Sequence, residues 1–173
     1  MNISQQKLSW LWMTREAGYI RRFHTKRLIC SQNIAEHCFG VANLCYALCA
    51  PEKPSGELIE AALFHDMAEL ETGDIPAPVK WTNPDLKNIL EDMEAEFNEY
   101  WGINWKLSPY EQLTLKWADM LELLLKSIEE YIMGNKEAHL LIDSANNYLS
   151  NLPYHEEGKR MLYEIMEDFN ASK

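Results

Sequence analysis

The sequence predicts an all-α fold, a single domain built as a bundle of about six to seven helices. Three observations carry that reading. Apolar residues recur at three- and four-residue spacing through every long segment. Capping residues punctuate those segments at both ends, and no stretch alternates with the two-residue period of a strand. A chain of 173 residues is long enough to bury roughly two-thirds of its unfolded surface without disulfides or structural metals.

Taken in order, a first helix is expected from about Gln5 to Ala17, with Leu8, Leu11 and Trp12 on one side and Gly18 as its stop. The basic stretch RRFHTKR follows as a loop. Asn33, with Glu36 three residues on, has the pattern of a capping box and opens a helix to about Ala50, ended by Pro51 and Pro54. Ser55 caps the next helix, which is expected to carry His65, Asp66 and Glu69 and to stop near Thr72 and Gly73. Pro76 and Pro78 should hold the following GDIPAPVKW segment as a stiff, extended loop. Asn83 and Pro84 begin an acidic helix to about Trp101. Ser108, Pro109 and Glu111 begin a long Leu-rich helix that runs to about Met133 and stops at Gly134 and Asn135. Two further amphipathic helices, from about Lys136 to Ser150 and Pro153 to Asp168, complete the bundle.

Composition narrows the functional classes. A formal net charge of −11 argues against a general nucleic-acid or anionic-membrane binder, which needs a basic surface. No apolar run approaches membrane-spanning length and no signal-peptide core is visible, so a soluble, cytoplasmic protein is expected. Cys38, Cys45 and Cys49 share a helical stripe with Val41, Leu44 and Leu48, so they read as core residues; neither disulfides nor a zinc knuckle are expected. The eight methionines and six tryptophans read mostly as core filling.

Against that apolar background, adjacent His65 and Asp66 stand out. Leu58, Ile59, Ala61, Ala62, Leu63, Met67 and Leu70 make their helix largely apolar, so both polar groups need partners. Glu69 follows Asp66 by three residues and His65 by four, on the same side of a helix. His37 and Asp119 are similarly embedded in apolar helices, and two imidazoles with two carboxylates suit one divalent ion such as Zn, Mn, Co, Ni or Fe. The same residues could instead satisfy one another through hydrogen bonds, and spacing alone leaves both readings open. Arg21, Arg22, Lys26 and Arg27 crowd ahead of His37 as either a solvated loop or a phosphate clamp. Phe23, set between Arg22 and His24, is placed to stack on a base.

These residues resemble a known pattern. His37, His65-Asp66 and Asp119 reproduce the H…HD…D arrangement of the HD-domain phosphohydrolase superfamily. The pieces NIAEHC, HDMAELETGDIPAPVKW and KWADMLELL resemble its YfbR-like 5'-deoxynucleotidase branch over about Gly18 to Asn135. The resemblance implies an HD-type helical domain spanning residues 1–173, a single divalent metal on His37, His65, Asp66 and Asp119, and cleavage of the 5' phosphoester of a 2'-deoxyribonucleotide. It also implies that Arg22 orients phosphate, that Glu69 is required for catalysis, and that Asp74, Ile75, Pro76 and Ala77 line the nucleoside pocket. Lys80 and Lys116 match basic positions near the phosphate. Phe23 departs from the family, which usually has tryptophan there; it keeps a stacking face and loses the indole donor. The span between Asp66 and Asp119 is short, like that of compact viral relatives, some of which remove the whole triphosphate from dATP. Two activities are therefore expected to compete, a 5'-deoxynucleotidase and a dNTP triphosphohydrolase, in a homodimer or larger assembly in the cytoplasm (a host's, for a viral protein). A non-catalytic helical interaction protein is the remaining alternative.

Overall fold

The computed structural model describes residues 3–171, with side chains from Gln5 onward except that of Trp81. Helices α1 (Ile3–Ala17), α2 (Ile34–Cys49) and α3 (Gly56–Phe64) come first, and a hairpin of two short strands, β1 (Arg21–Arg22) and β2 (Gln32–Asn33), separates α1 from α2. Then follow α4 (Glu69–Thr72), α5 (Ala77–Thr82), α6 (Pro84–Trp101) and the long α7 (Pro109–Ile132). A 3-10 turn (Lys136–Ala138), α8 (His139–Asn151) and α9 (Glu156–Ala171) close the chain.

The caps behave as their residue types dictate. Asn33 accepts from the Glu36 N–H while Glu36 reaches back to the Asn33 N–H, and Ser108 and Glu111 form the same reciprocal box at α7. Ser55 accepts from the Leu58 N–H at α3, and Asn83 from the Leu86 N–H at α6. Helix α7 runs through the middle, packed against α2 on one side and α8 on another, with α3 against α2. Val41, Cys45, Leu48, Leu58, Trp117, Leu121, Leu124, Ile142 and Leu149 form the main core between them. Each such leucine contributes about 2 kcal/mol relative to an exposed one. A second cluster of Met13, Ala17, Ile34, Cys38, Met67 and Phe97 ties α1 and α6 to α2. Cys38 and Cys45 are buried there as expected, Cys49 is half-buried, and all four cysteines are free thiols.

Four expectations need correction. Among the described residues nine α-helices stand where about six to seven were expected, because the His65 helix divides and the proline loop holds a helix of its own. The helix carrying His65 does not run on to Thr72. It ends at Phe64, and residues 65–68 tighten into a turn, with Met67 N–H bonded to Phe64 O and Glu69 N–H to Asp66 O, before α4 resumes. An i to i+3 ladder winds faster than an α-helix, so Asp66 and Glu69 fall on one line. The proline loop is not wholly extended either: Pro76 and Pro78 sit at the start of α5, where a missing N–H costs nothing. Finally, the basic loop is a hairpin stem, with Arg21 paired to Asn33 and Arg22 to Gln32; two-residue strands carry too little period to be read from sequence.

Candidate metal centre

Three packed elements bring the polar residues to one place. The Asn33 cap fixes the start of α2 and puts His37 one turn in; the α3 terminus supplies His65 and Asp66; α7 supplies Asp119. One donor atom each from His37, His65 and Asp119 lies within 4.8 Å of the others. Asp66 sits among them, with Oδ2 3.4 Å from His37 Nε2 and Oδ1 3.4 Å from His65 Nε2. His37 Nε2 is also 3.5 Å from Asp119 Oδ1. His37, His65 and Asp119 thus form the mutually close trio, and Asp66 joins it by turning a different oxygen to each imidazole.

The ring orientations favour that use. His37 is fully buried, and its Nδ1 lies 2.6 Å from Glu122 Oε2; His65 Nδ1 lies 3.0 Å from the Ala62 carbonyl oxygen. Both acceptors want an Nδ1 proton, which turns Nε2 of each ring toward the cluster as the atom a cation would take. Both Nε2 atoms are buried without a hydrogen-bond partner among the described residues. Buried nitrogens aimed at two carboxylates, with no partner of their own, fit a cation.

The surrounding charges reinforce the arrangement. Arg22 Nη1 donates to Asp66 Oδ2 at 2.9 Å, and Lys116 Nζ to Asp119 Oδ2 at 3.1 Å. Burial opposes ionisation of both carboxyls, but Lys116 and His37 hold Asp119 well below the usual range, and His65 and Arg22 lower Asp66. Burial also opposes the charged form of His37, yet contact with Asp119 and Glu122 outweighs it and lifts the imidazole to about 9. Glu69 moves the other way from its neighbours: burial, then the charges of Asp66 and Asp74, push its carboxyl up to about 9. Its Oε2 is buried without a hydrogen-bond partner among the described residues.

A cavity of about 450 Å³ opens beside these groups. Phe23, Ile75, Pro76, Ala77, Met120 and Leu123 give it apolar walls, while Arg22, Asp66, Glu69, Asp119, Lys80 and Lys116 line its polar end. Phe23 has φ 54°, and its N–H donates to Asp74 Oδ2 at 3.0 Å, which fastens the hairpin to the α4–α5 link. A second space of about 940 Å³ shares Asp66, Glu69, Lys80 and Lys116 and continues past Thr72 and Gly73 to Lys87, Glu91 and Glu94.

Every expected site residue therefore borders one region. Of the basic cluster, only Arg22 bonds a carboxylate there: Arg21 and Arg27 are exposed away from either cavity lining, and Lys26 edges the smaller cavity. Glu122 was not anticipated. It follows Asp119 by three residues on α7, a spacing that shares a helix face, and that was its signal. Met120, Leu123, Leu141 and Ser144 in the cavity wall were also unforeseen.

Comparison with known proteins agrees with this geometry. The model of the "5'-deoxynucleotidase YfbR-like" family matches residues 9–104. A 5'-deoxynucleotidase of Vibrio atlanticus is 30% identical over 170 residues, covering 86% of this chain and 79% of its own. A dATP triphosphohydrolase of cyanophage S-2L is 34% identical over 114 residues, covering 63% of this chain and 64% of its own. The solved structure of the cyanophage S-2L HD phosphohydrolase, bound to dA and one catalytic zinc ion, superposes with a TM-score of 0.66 at 28% identity, covering 93% of this chain and 94% of that one. With helices, cluster and family match in agreement, the chain belongs to the YfbR-like 5'-deoxynucleotidase family.

Proposed function

We propose that the protein is a metal-dependent phosphohydrolase that cleaves the 5' phosphoester of 2'-deoxyribonucleotides, giving deoxynucleoside and phosphate. The observation that carries this reading is the convergence of two partnerless imidazole nitrogens and two ionised carboxylates at the polar end of an apolar, base-sized cavity. His37, His65, Asp66 and Asp119 would hold one divalent ion of the Zn, Co, Mn, Ni or Fe group, which when bound supplies Lewis acidity toward water and phosphate.

The chain's own groups do the rest. Arg22 keeps a buried Nε proton without a partner, ready to donate to a phosphate oxygen, and Lys80 and Lys116 add positive charge at the same end. A preorganised donor of this kind lowers the barrier by about 3 kcal/mol. Glu69, lifted to about 9, holds a proton on its carboxyl at neutral pH. With its Oε2 buried at the polar end, it is placed to exchange a proton with water or with the departing 5'-oxygen. Phe23 offers its ring to the base, Ile75, Pro76 and Ala77 close the wall, and Asp74 has a second oxygen to accept from a sugar hydroxyl.

The larger space lined by Lys80, Lys87 and Lys116 favours a second reading, a dNTP triphosphohydrolase releasing triphosphate. Two of those lysines already face carboxylates, Lys87 with Glu91 at 3.4 Å and Lys116 with Asp119 at 3.1 Å, and Glu94 adds negative charge. The monophosphate reading is therefore preferred. Incubating the metal-loaded protein with dAMP and with dATP, then separating phosphate from triphosphate, decides between them; turnover of neither defeats both.

The assembly and compartment follow from the same reading. Leu8, Leu11 and Trp12 form an exposed apolar row on α1 that supports a homodimer or larger homo-oligomer, to be measured by light scattering. No helix among the described residues is long and apolar enough to cross a membrane, and the four free thiols accord with a reducing cytoplasm.

A further inference from the structure

Beyond the four candidate ligands, a buried carboxylate that lines neither cavity stands behind His37. Glu122 lies on α7 under His37, nearly inaccessible to solvent. Its Oε2 is 2.6 Å from His37 Nδ1, and its Oε1 accepts from Gln32 Nε2 at 2.6 Å. Gln32 is buried too, and it is the residue paired across the hairpin with Arg22. Room for the carboxylate is made on α2: a Cβ on Gly40 would lie 2.8 Å from Glu122 Cγ. Arg22 in turn bonds Asp66, whose Oδ2 faces His37 Nε2. The contacts close a ring through His37, Glu122, Gln32, Arg22 and Asp66.

We infer that Glu122 is the positioning residue of the metal centre, setting the His37 tautomer with one oxygen and the Arg22-bearing hairpin with the other. A carboxylate that accepts only can take a proton donor at each oxygen, so it holds the Nδ1 proton in place and presents Nε2 as the ligand atom. Gln32 carries the same constraint into the strand ladder, so that the group orienting phosphate and the group holding the cation keep one relative placement. This rests on the metal reading proposed above and adds a residue that reading does not need.

Zinc affinity, measured by competition against a chromophoric chelator, provides the test. Glu122→Ala is expected to weaken zinc binding by about 10- to 100-fold. Glu122→Gln retains one acceptor and is expected to lose less. Gln32→Ala should leave zinc affinity within about twofold while raising KM for a deoxynucleoside monophosphate, a split that general loss of stability does not produce. In zinc-loaded unsubstituted protein labelled with 15N-histidine, NMR should find the His37 proton on Nδ1. A folded Glu122→Ala variant with unaltered zinc affinity overturns the proposal, as does a His37 Nδ1 without a proton; the NMR result decides if that variant does not fold. An unchanged KM in Gln32→Ala overturns the link to Arg22. If the unsubstituted protein takes up no divalent ion, the metal reading fails and Glu122's role with it, whereas normal uptake with an indifferent Glu122 refutes only the latter.

Discussion

Asp74 and Phe23, fifty-one residues apart, are joined by a single hydrogen bond from the Phe23 N–H to Asp74 Oδ2 at 3.0 Å. Phe23 is also the one non-glycine residue with positive φ among the described residues. A bulky side chain in that backbone region costs about 1–2 kcal/mol, so the carboxylate holds a strained residue in the position where its ring walls the cavity.

Asp74→Ala should release that hold. A hydrogen bond to a charged acceptor contributes about 1.5–3 kcal/mol, partly offset by relief of the Phe23 strain, so a net destabilisation of about 1 kcal/mol is expected in urea denaturation. The KM for the nucleotide should rise at least about tenfold. Phe23→Gly should separate the two effects, with stability retained or improved because glycine accepts the conformation, and KM raised because the ring is gone.

Metal affinity should climb with pH. The His37 imidazole, raised to about 9, carries a proton at neutrality that a cation must displace from Nε2. Binding should therefore tighten by up to about tenfold per pH unit between pH 6 and 9 and then level. Calorimetry in buffers of different ionisation enthalpy should register proton release. For the metal-free protein the linkage runs the other way: a histidine pKa raised on folding stabilises fully below its ordinary 6.5, and that contribution is lost as pH rises through about 9. Denaturation at pH 6 and pH 9.5 measures it.

Glu69→Gln should cost activity and gain stability. The carboxyl titrates near 4.5 unfolded but about 9 folded, so the folded state binds more protons between those values, and stability falls as pH climbs through that window. A neutral amide of the same shape removes that dependence. The variant should melt higher than the parent at pH 8 and lose the advantage near pH 4, while kcat falls by about a hundredfold or more.

Gly158→Ala should destabilise the bundle without touching the site directly. A Cβ there would stand 2.6 Å from Trp117 Cδ2, and Trp117 is fully buried with Nε1 donating to the Pro153 carbonyl oxygen at 3.1 Å. Neither side has space to retreat, so a loss of about 1–3 kcal/mol is expected in chemical denaturation.

The residues whose chemistry is conspicuous are legible in the amino-acid sequence by themselves. His37, His65, Asp66 and Asp119 are polar intrusions into apolar periods, and the caps Asn33, Ser55, Asn83 and Ser108 announce themselves by residue type and offset. What escaped depends on tertiary placement. Glu122 is one of 27 acidic residues, and its one local mark, the three-residue offset from Asp119, does not say which partner it meets. The break at Phe64 escaped because the apolar period of AALFHDMAEL continues through it unchanged. Helix α5 escaped because two prolines read as an extended loop unless they fall at a helix start, as Pro76 does at the N-cap and Pro78 in the first turn.

That break at Phe64 has an engineering corollary. Over residues 65–68 the hydrogen bonds span three residues, so Asp66 and Glu69 return to nearly the same azimuth; in an α-helix Glu69 would stop about 60° short. Substitutions chosen to make this stretch a better helix would rotate the Glu69 carboxyl away from Asp66. A thermostabilised descendant, tuned for regularity here, would trade turnover for rigidity.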